Sequence, residues 1–237
     1  SPLLRAWLAR LRAGGVELRS RWRWIGLDGG FAFDTPDGRR VLQPDVTVLA
    51  LGGASWPRLG SDASWVPILA EAGVAIAPFR PANMGFRIDW SPAMARLHGA
   101  PVKGVAIRAG DSVSRGEWVI TPDGIEGGGV YAVAAPIRDG QAADVDLAPD
   151  LDHASLARRF AQPRGKLSLG NWSRRILGDP ARVGLLLEWG RPLPDSAEGW
   201  AARAKALPLC HAPTGGYLLT TCLATGLRAG QAAARRL

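Results

Sequence analysis

The stretch DVTVLALGG, residues 45–53, constrains the fold more than any other. From Val46 to Leu51 every position but one is apolar, so a strand here has no polar face to give to water, and the pair Gly52-Gly53 stops it. A run apolar on both faces is expected in a central strand of a parallel sheet covered by helices on each side. That points to an α/β layer fold, with ligand chemistry at the carboxyl end of the strand, beside the glycines. A plain tight turn is the alternative reading of Gly52-Gly53.

The flanking sequence fits around such a sheet. Leu4, Trp7, Leu8 and Leu11 form one face of an amphipathic helix over residues 2–13, and Gly14-Gly15 ends it. Residues 16–27 read as a strand closed by Asp28-Gly29-Gly30, and residues 31–43 as a hairpin over Asp37-Gly38. Residues 61–73 predict a helix that Pro67 either kinks or delays. Beyond Pro78 the texture changes to short alternating segments separated by Gly and Pro, as in a small antiparallel sheet or barrel. Residues 152–205 are then helical in pattern. The predicted organisation is an α/β domain at 1–80 and 206–237, interrupted by a β-rich and then helical insertion at 81–205.

The second glycine-opened bend is Pro213-Thr214-Gly215-Gly216, followed by apolar residues that suit a buried helix over 217–227 with Thr214 as its cap. Its bland reading is a turn before a core helix. Its functional reading is a bare, positively polarised helix end that stabilises negative charge. Gly127-Gly128-Gly129-Val130-Tyr131-Ala132 fits G-x-G-x-x-A. The strand before it is expected to end near Pro122-Asp123-Gly124, and the following segment is short and contains Pro136. A glycine-rich connection is therefore preferred to a dinucleotide cradle.

Other chemistries find little support. His98, His153 and His211 are far apart in sequence, which gives no metal-ligand spacing. Cys210 and Cys222 do not form a C-x-x-C pair, and two cysteines suit a reducing cytoplasm. No segment has the length of a membrane span or the form of a signal peptide. A net charge of +8 with ten tryptophans raises nucleic-acid binding. The arginines are scattered in twos and threes, however, with no run of five or six, which reads as a solvated basic surface. No residue emerges as a catalytic acid or base, and the oligomeric state is not encoded in any pattern.

Four stretches, LLRAWLARLRAGGVELRSRWRWIGL, VTVLALGGASWPRLGSD, GEWVITPDGIEGGGVYAVAAPIRDG and APTGGYLLTTCLATGLRAG, together resemble successive blocks of the BaiN-like FAD-dependent oxidoreductases. The resemblance implies a partial glutathione-reductase-like three-layer FAD domain carrying an inserted β-barrel-like and helical region. It implies FAD as cofactor and NAD(P)H as a candidate electron donor, with a small-molecule substrate that no motif specifies. It places the adenine edge near Trp24, the end of the buried strand (Ala50, Leu51, Gly52 and Gly53) beside the cofactor, and Pro213, Thr214, Gly215, Gly216 and Tyr217 against the flavin. Against the family pattern, the chain is expected to lack the G-x-G-x-x-G unit, and with it the pyrophosphate cradle, and part of the C-terminal FAD segment. The segment ahead of APTGGYLL is shortened, with His211 where an acidic or polar residue is expected. The competing expectation is a non-catalytic remnant unable to retain FAD.

Overall fold

In the computed structural model, residues 1–54 and 56–217 are described, with side chains through 211. They divide into two compact units, Ser1–Pro78 and a second that begins at Phe79.

The first unit opens with helix α1 (Pro2–Ala13), whose Pro2 sits in the first turn where its missing N–H is not needed. Gly14 caps it and Gly15, at φ 81°, reverses the chain. Three strands follow, β1 (Arg23–Leu27), β2 (Phe31–Thr35) and β3 (Gly38–Leu42), hydrogen-bonded antiparallel in the order β1-β2-β3. Gly38, at φ 94°, makes the β2–β3 turn, and Thr35 Oγ1 ties it by donating to the Gly38 carbonyl at 2.6 Å. Helix α2 (Val66–Glu71) starts late, with Pro67 in its first turn.

Two expectations fail in this unit. The strand expected over 16–27 is confined to β1. Residues 45–51 form no strand at all, and Val46, Val48 and Leu49 are 38%, 43% and 46% exposed. The physical reason is pairing: a strand exists only when neighbouring chain satisfies its N–H and C=O groups. Among the described residues no strand lies against 45–51, and every strand pairing is antiparallel. Apolar composition records a need for cover; it does not supply the cover.

The second unit is better packed. Its strands are β4 (Asn83–Arg87), β5 (Pro101–Val102), β6 (Ala106–Ala109), β7 (Ser112–Ser114), β8 (Trp118–Thr121), β9 (Gly124–Glu126), β10 (Ala143–Asp146), β11 (Leu207–Pro208) and β12 (Ala212–Tyr217). They form two antiparallel sheets, ordered β11-β10-β6-β7 and β12-β4-β9-β8-β5. Alternation sends Met84 and Phe86 of β4, and Trp118 and Ile120 of β8, into the core. The short helices α3 (Gly128–Tyr131) and α4 (Ala134–Arg138) add Val130, Ala134 and Ile137 to it.

The remaining helices are α5 (His153–Phe160), α6 (Leu169–Leu177), α7 (Pro180–Trp189) and α8 (Ala197–Lys205). Each begins with a side chain that satisfies its free N–H groups: Asp152, Ser168, Asp179 and Ser196 respectively. Helix α7 buries residues all round its circumference, including Val183, Leu185, Leu186 and Trp189. Phe160, Trp172 and Trp200 form a three-ring cluster with centroids 5.5–5.9 Å apart, locking α5, α6 and α8 together.

Contrary to the sequence expectation, β9 runs to Glu126, so the G-x-G-x-x-A stretch does follow a strand and open a helix. The strand is antiparallel and α3 has only 4 residues, so the parallel βαβ context of a phosphate cradle is missing. These glycines have a packing reason. A Cβ on Gly127 would lie 2.9 Å from the Trp118 Cα, and one on Gly129 would sit on the Gly116 carbonyl.

Candidate functional site

The cofactor-facing residues expected from sequence fall in both units. Trp24 is in β1, half-buried, and its indole N–H donates to the Gly26 carbonyl at 2.8 Å. Its ring leans on Phe31 with centroids 5.9 Å apart, and Trp22 does the same with Phe33 at 5.7 Å. Since the indole N–H is taken, what this position can offer a ligand is backbone. Strand β1 is at the edge of its sheet, and its register to β2 shifts between Trp24 and Gly26. Its outer N–H and C=O groups are thus free of ladder bonds, suiting a planar heterocycle edge that both donates and accepts.

Ala50, Leu51, Gly52 and Gly53 lie in an irregular loop, not at the tip of a strand. Gly52 takes φ 73°, a left-handed conformation that glycine adopts at no steric cost. The loop folds back on itself. Trp65 Nε1 donates to the Gly52 carbonyl at 3.2 Å, and the Ala63 N–H to the Gly53 carbonyl at 3.1 Å. Trp56 and Ser61 exchange backbone bonds around a single 3-10 turn over Pro57–Leu59.

The carbonyls of this bend are therefore spent internally. Among the described residues, no protein group accepts from the N–H groups of Ala50, Leu51, Gly52 or Gly53. Free N–H groups, two of them on residues without a side chain, are chemically compatible with an oxygen-rich group such as a pyrophosphate or flavin carbonyl. Nearby Asp62 is held below the usual carboxylate range, first by the Ser64 N–H bonded at 3.0 Å and further by the Arg23 guanidinium. Ser61 and Asp62 close the VTVLALGGASWPRLGSD block but were not singled out, and Trp65 lies beyond it, since no spacing or motif marks a side chain that shapes a loop from a dozen residues away.

Pro213, Thr214, Gly215, Gly216 and Tyr217 belong to the second unit. Their backbone forms β12, antiparallel to β4, with Pro213 opposite Phe86 and Gly216 opposite Met84. The register shifts between Pro213 and Gly216, leaving Thr214-Gly215 as an irregularity at the sheet edge. Tyr217, expected to start a helix, ends this strand, so Thr214 does not cap a helix. The helix proposed over 217–227, and Cys222 within it, otherwise fall outside the described residues. Just before β12, His211 packs on Phe86 with ring centroids 4.7 Å apart. Burial pushes its imidazole below the ordinary value, and no described residue bonds its Nδ1.

One charged cluster of the second unit, around Asp146, is structural. Asp146, whose side chain is 5% exposed, pairs with Lys205 at 2.7 Å and accepts the Ala148 N–H at 3.0 Å. Lys205 also donates to the Ala148 and Leu151 carbonyls, while Arg108 bonds Asp144 at 2.6 Å and the Lys205 carbonyl. Every one of these groups is satisfied, which describes a brace between β6, β10 and α8. Ser91 donates both its N–H and Oγ–H to the Glu188 carboxylate, at 2.7 and 2.6 Å, tying the 3-10 turn Pro92–Leu97 to α7. Among the described residues no His, Cys, Asp and Glu gather as a metal site, and no helix is long and apolar enough to cross a membrane.

No curated protein matches the chain. Residues 80–188, which hold most of the second unit's strands and helices α3 to α7, match the family described as the HI0933-like protein barrel and H2TH domain.

Proposed function

We propose that the chain is a flavoprotein oxidoreductase that uses FAD, of the BaiN-like group its sequence blocks resemble. The observation that carries the reading is the match of residues 80–188 to a domain of FAD-dependent oxidoreductases. That stretch does not overlap the 3–27, 46–62 and 212–230 blocks, where the cofactor-facing residues lie. In this reading 1–80 and 206–237 derive from a glutathione-reductase-like FAD domain, and 81–205 is its inserted region.

Bound FAD would supply hydride or electron transfer between NAD(P)H and a small-molecule substrate in the cytoplasm. The protein's part is binding and orientation. In the first unit, the β1 edge near Trp24 presents backbone to the adenine and the N–H groups of Ala50 to Gly53 hold an anionic or carbonyl oxygen. In the second unit, taken by itself, the Thr214-Gly215 irregularity leaves backbone open to a ring. N–H groups aimed at such an oxygen stabilise charge that develops on it.

The test is direct: titrate the purified chain with FAD and follow flavin absorbance and fluorescence. Saturable uptake that weakens at least tenfold in a Gly52→Asp variant supports the proposal. A chain that stays colourless and leaves FAD fluorescence unchanged overturns it. That outcome would favour the non-catalytic remnant, for which the exposure of Trp7, Leu18, Val48 and Leu59 in the first unit is the supporting observation.

A further inference from the structure

The scattered arginine pairs Arg158-Arg159 and Arg174-Arg175 are brought onto one pair of helices. Residues 153–178 contain Arg158, Arg159, Arg164, Lys166, Arg174 and Arg175 and no Asp or Glu. All six cations are exposed. Helices α5 and α6 pack on one another, and the Phe160 and Trp172 rings meet edge to face at 5.5 Å. Each helix turns its opposite side into the same core, through Leu156, Ala157 and Phe160 on α5 and Trp172, Ile176 and Leu177 on α6. The arginine pairs therefore face outward, and the connection that carries Arg164 and Lys166 runs between them.

Folding uses these charges lightly: the four arginines sit in the last turns of α5 and α6, where a cation favours the helix end. None of the six makes an ion pair among the described residues, although Arg158 donates to Ser155 Oγ at 2.8 Å. The carboxylates flanking the segment are occupied as helix caps: Asp152 accepts the Ser155 N–H, and Asp179 the Ala181 and Arg182 N–H groups. In the same unit Arg80, Lys103, Arg108, Arg115 and Arg138 all have carboxylate partners.

We propose that the α5–α6 face is a docking surface for the phosphate backbone of a duplex nucleic acid, read without regard to sequence. Guanidinium groups recognise phosphate in a planar, two-pronged geometry, and a partner bearing regularly spaced phosphates engages several at once. A membrane is the poorer partner: no large apolar side chain is exposed within 153–178 to enter lipid. A single strand is also poorer, because the segment's aromatic rings, Phe160 and Trp172, are buried and cannot stack on bases.

The experiment measures binding of the full chain to a labelled 24-base-pair DNA duplex of arbitrary sequence by fluorescence anisotropy, at salt concentrations from 50 to 200 mM. Each phosphate neutralised contributes about 0.9 to the slope of log K against log salt, so six contacts give a slope of about −5 and roughly a 1000-fold loss over this range. Replacing the four arginines together (Arg158→Gln, Arg159→Gln, Arg174→Gln, Arg175→Gln) should cut the slope to about −2, a loss of roughly tenfold. The four corresponding Lys substitutions should preserve it, and Arg10→Gln with Arg12→Gln on α1 should leave it unchanged. Three results would overturn the proposal: no duplex binding at 50 mM salt, a slope in the Gln variant equal to the parent's, or equally tight binding to phosphatidylserine vesicles. Near-UV circular dichroism of each variant checks that the aromatic cluster beneath the patch is intact.

Discussion

Gly128 and Gly129 are adjacent, both begin the same short helix, and neither has positive φ, yet replacing them by alanine should have opposite effects. At Gly128 a Cβ meets nothing within 4 Å, so alanine only improves helix propensity and is worth up to about 1 kcal/mol. At Gly129 the same atom would sit on the Gly116 carbonyl oxygen, 2.6 Å from its carbon and 3.2 Å from the Glu117 oxygen. Both partners are backbone of the segment leading into β8, so no side chain can rotate away. Overpacking of this kind costs about 1–3 kcal/mol, and with only backbone to move the upper end applies; subtracting the propensity gain leaves a net loss of roughly 2 kcal/mol. With urea m-values of about 1–3 kcal/mol/M, the unfolding midpoint of Gly129→Ala should fall by about 1 M. The midpoint of Gly128→Ala should stay or rise. Urea titrations of both variants, followed by near-UV circular dichroism, make the comparison. If Gly129→Ala unfolds at or above the midpoint of Gly128→Ala, the glycines are not there for close packing, and the phosphate-cradle reading of 127–132 returns.

Lys205→Met leaves the buried Asp146 carboxylate with the Ala148 N–H and, as its one remaining cation, Arg108 3.7 Å away, and should cost about 2–4 kcal/mol in urea unfolding. Ser91→Ala removes a hydroxyl bond to the Glu188 carboxylate but keeps the backbone one, so thermal unfolding should show a smaller loss of about 1–1.5 kcal/mol. His211 should make stability pH-dependent on the acid side. Its folded pKa lies below the ordinary 6.5, so above that pH both folded and unfolded forms are neutral and it contributes no slope. As pH falls below 6.5 the unfolded chain takes up the proton more readily, and stability declines until the folded imidazole also titrates. His211→Gln should flatten the curve of melting temperature against pH below 6.5, and an unchanged curve would refute this.

How far the sequence reaches depends on whether the partner of a segment lies nearby in the chain. The β2–β3 hairpin was legible because Asp37-Gly38 encodes its own turn and its strands pair with each other. Helices α5 to α8 were legible because period and caps are local. Residues 45–51 misled because their pattern describes surroundings that no described strand provides. Pro213 to Tyr217 misled for the converse reason: β4, more than a hundred residues earlier, supplies a ladder that local helix signals could not reveal. The candidate site shares this limit. Gly52 and Gly53 could be singled out from the sequence, but Trp65 and Ala63, which take up the carbonyls there, could not.

The uneven environments of the tryptophans make the chain its own reporter. Trp7 and Trp56 in the first unit are 56% and 54% exposed, whereas Trp118 in the second is fully enclosed and Trp172 and Trp200 are in contact. Indoles in water emit to the red of indoles in a core, and closely coupled aromatic pairs give strong circular-dichroism bands only while their geometry holds. One heating run that records emission colour and near-ultraviolet dichroism together should therefore distinguish loosening of residues 1–78 from melting of the barrel and its helices, without any added label.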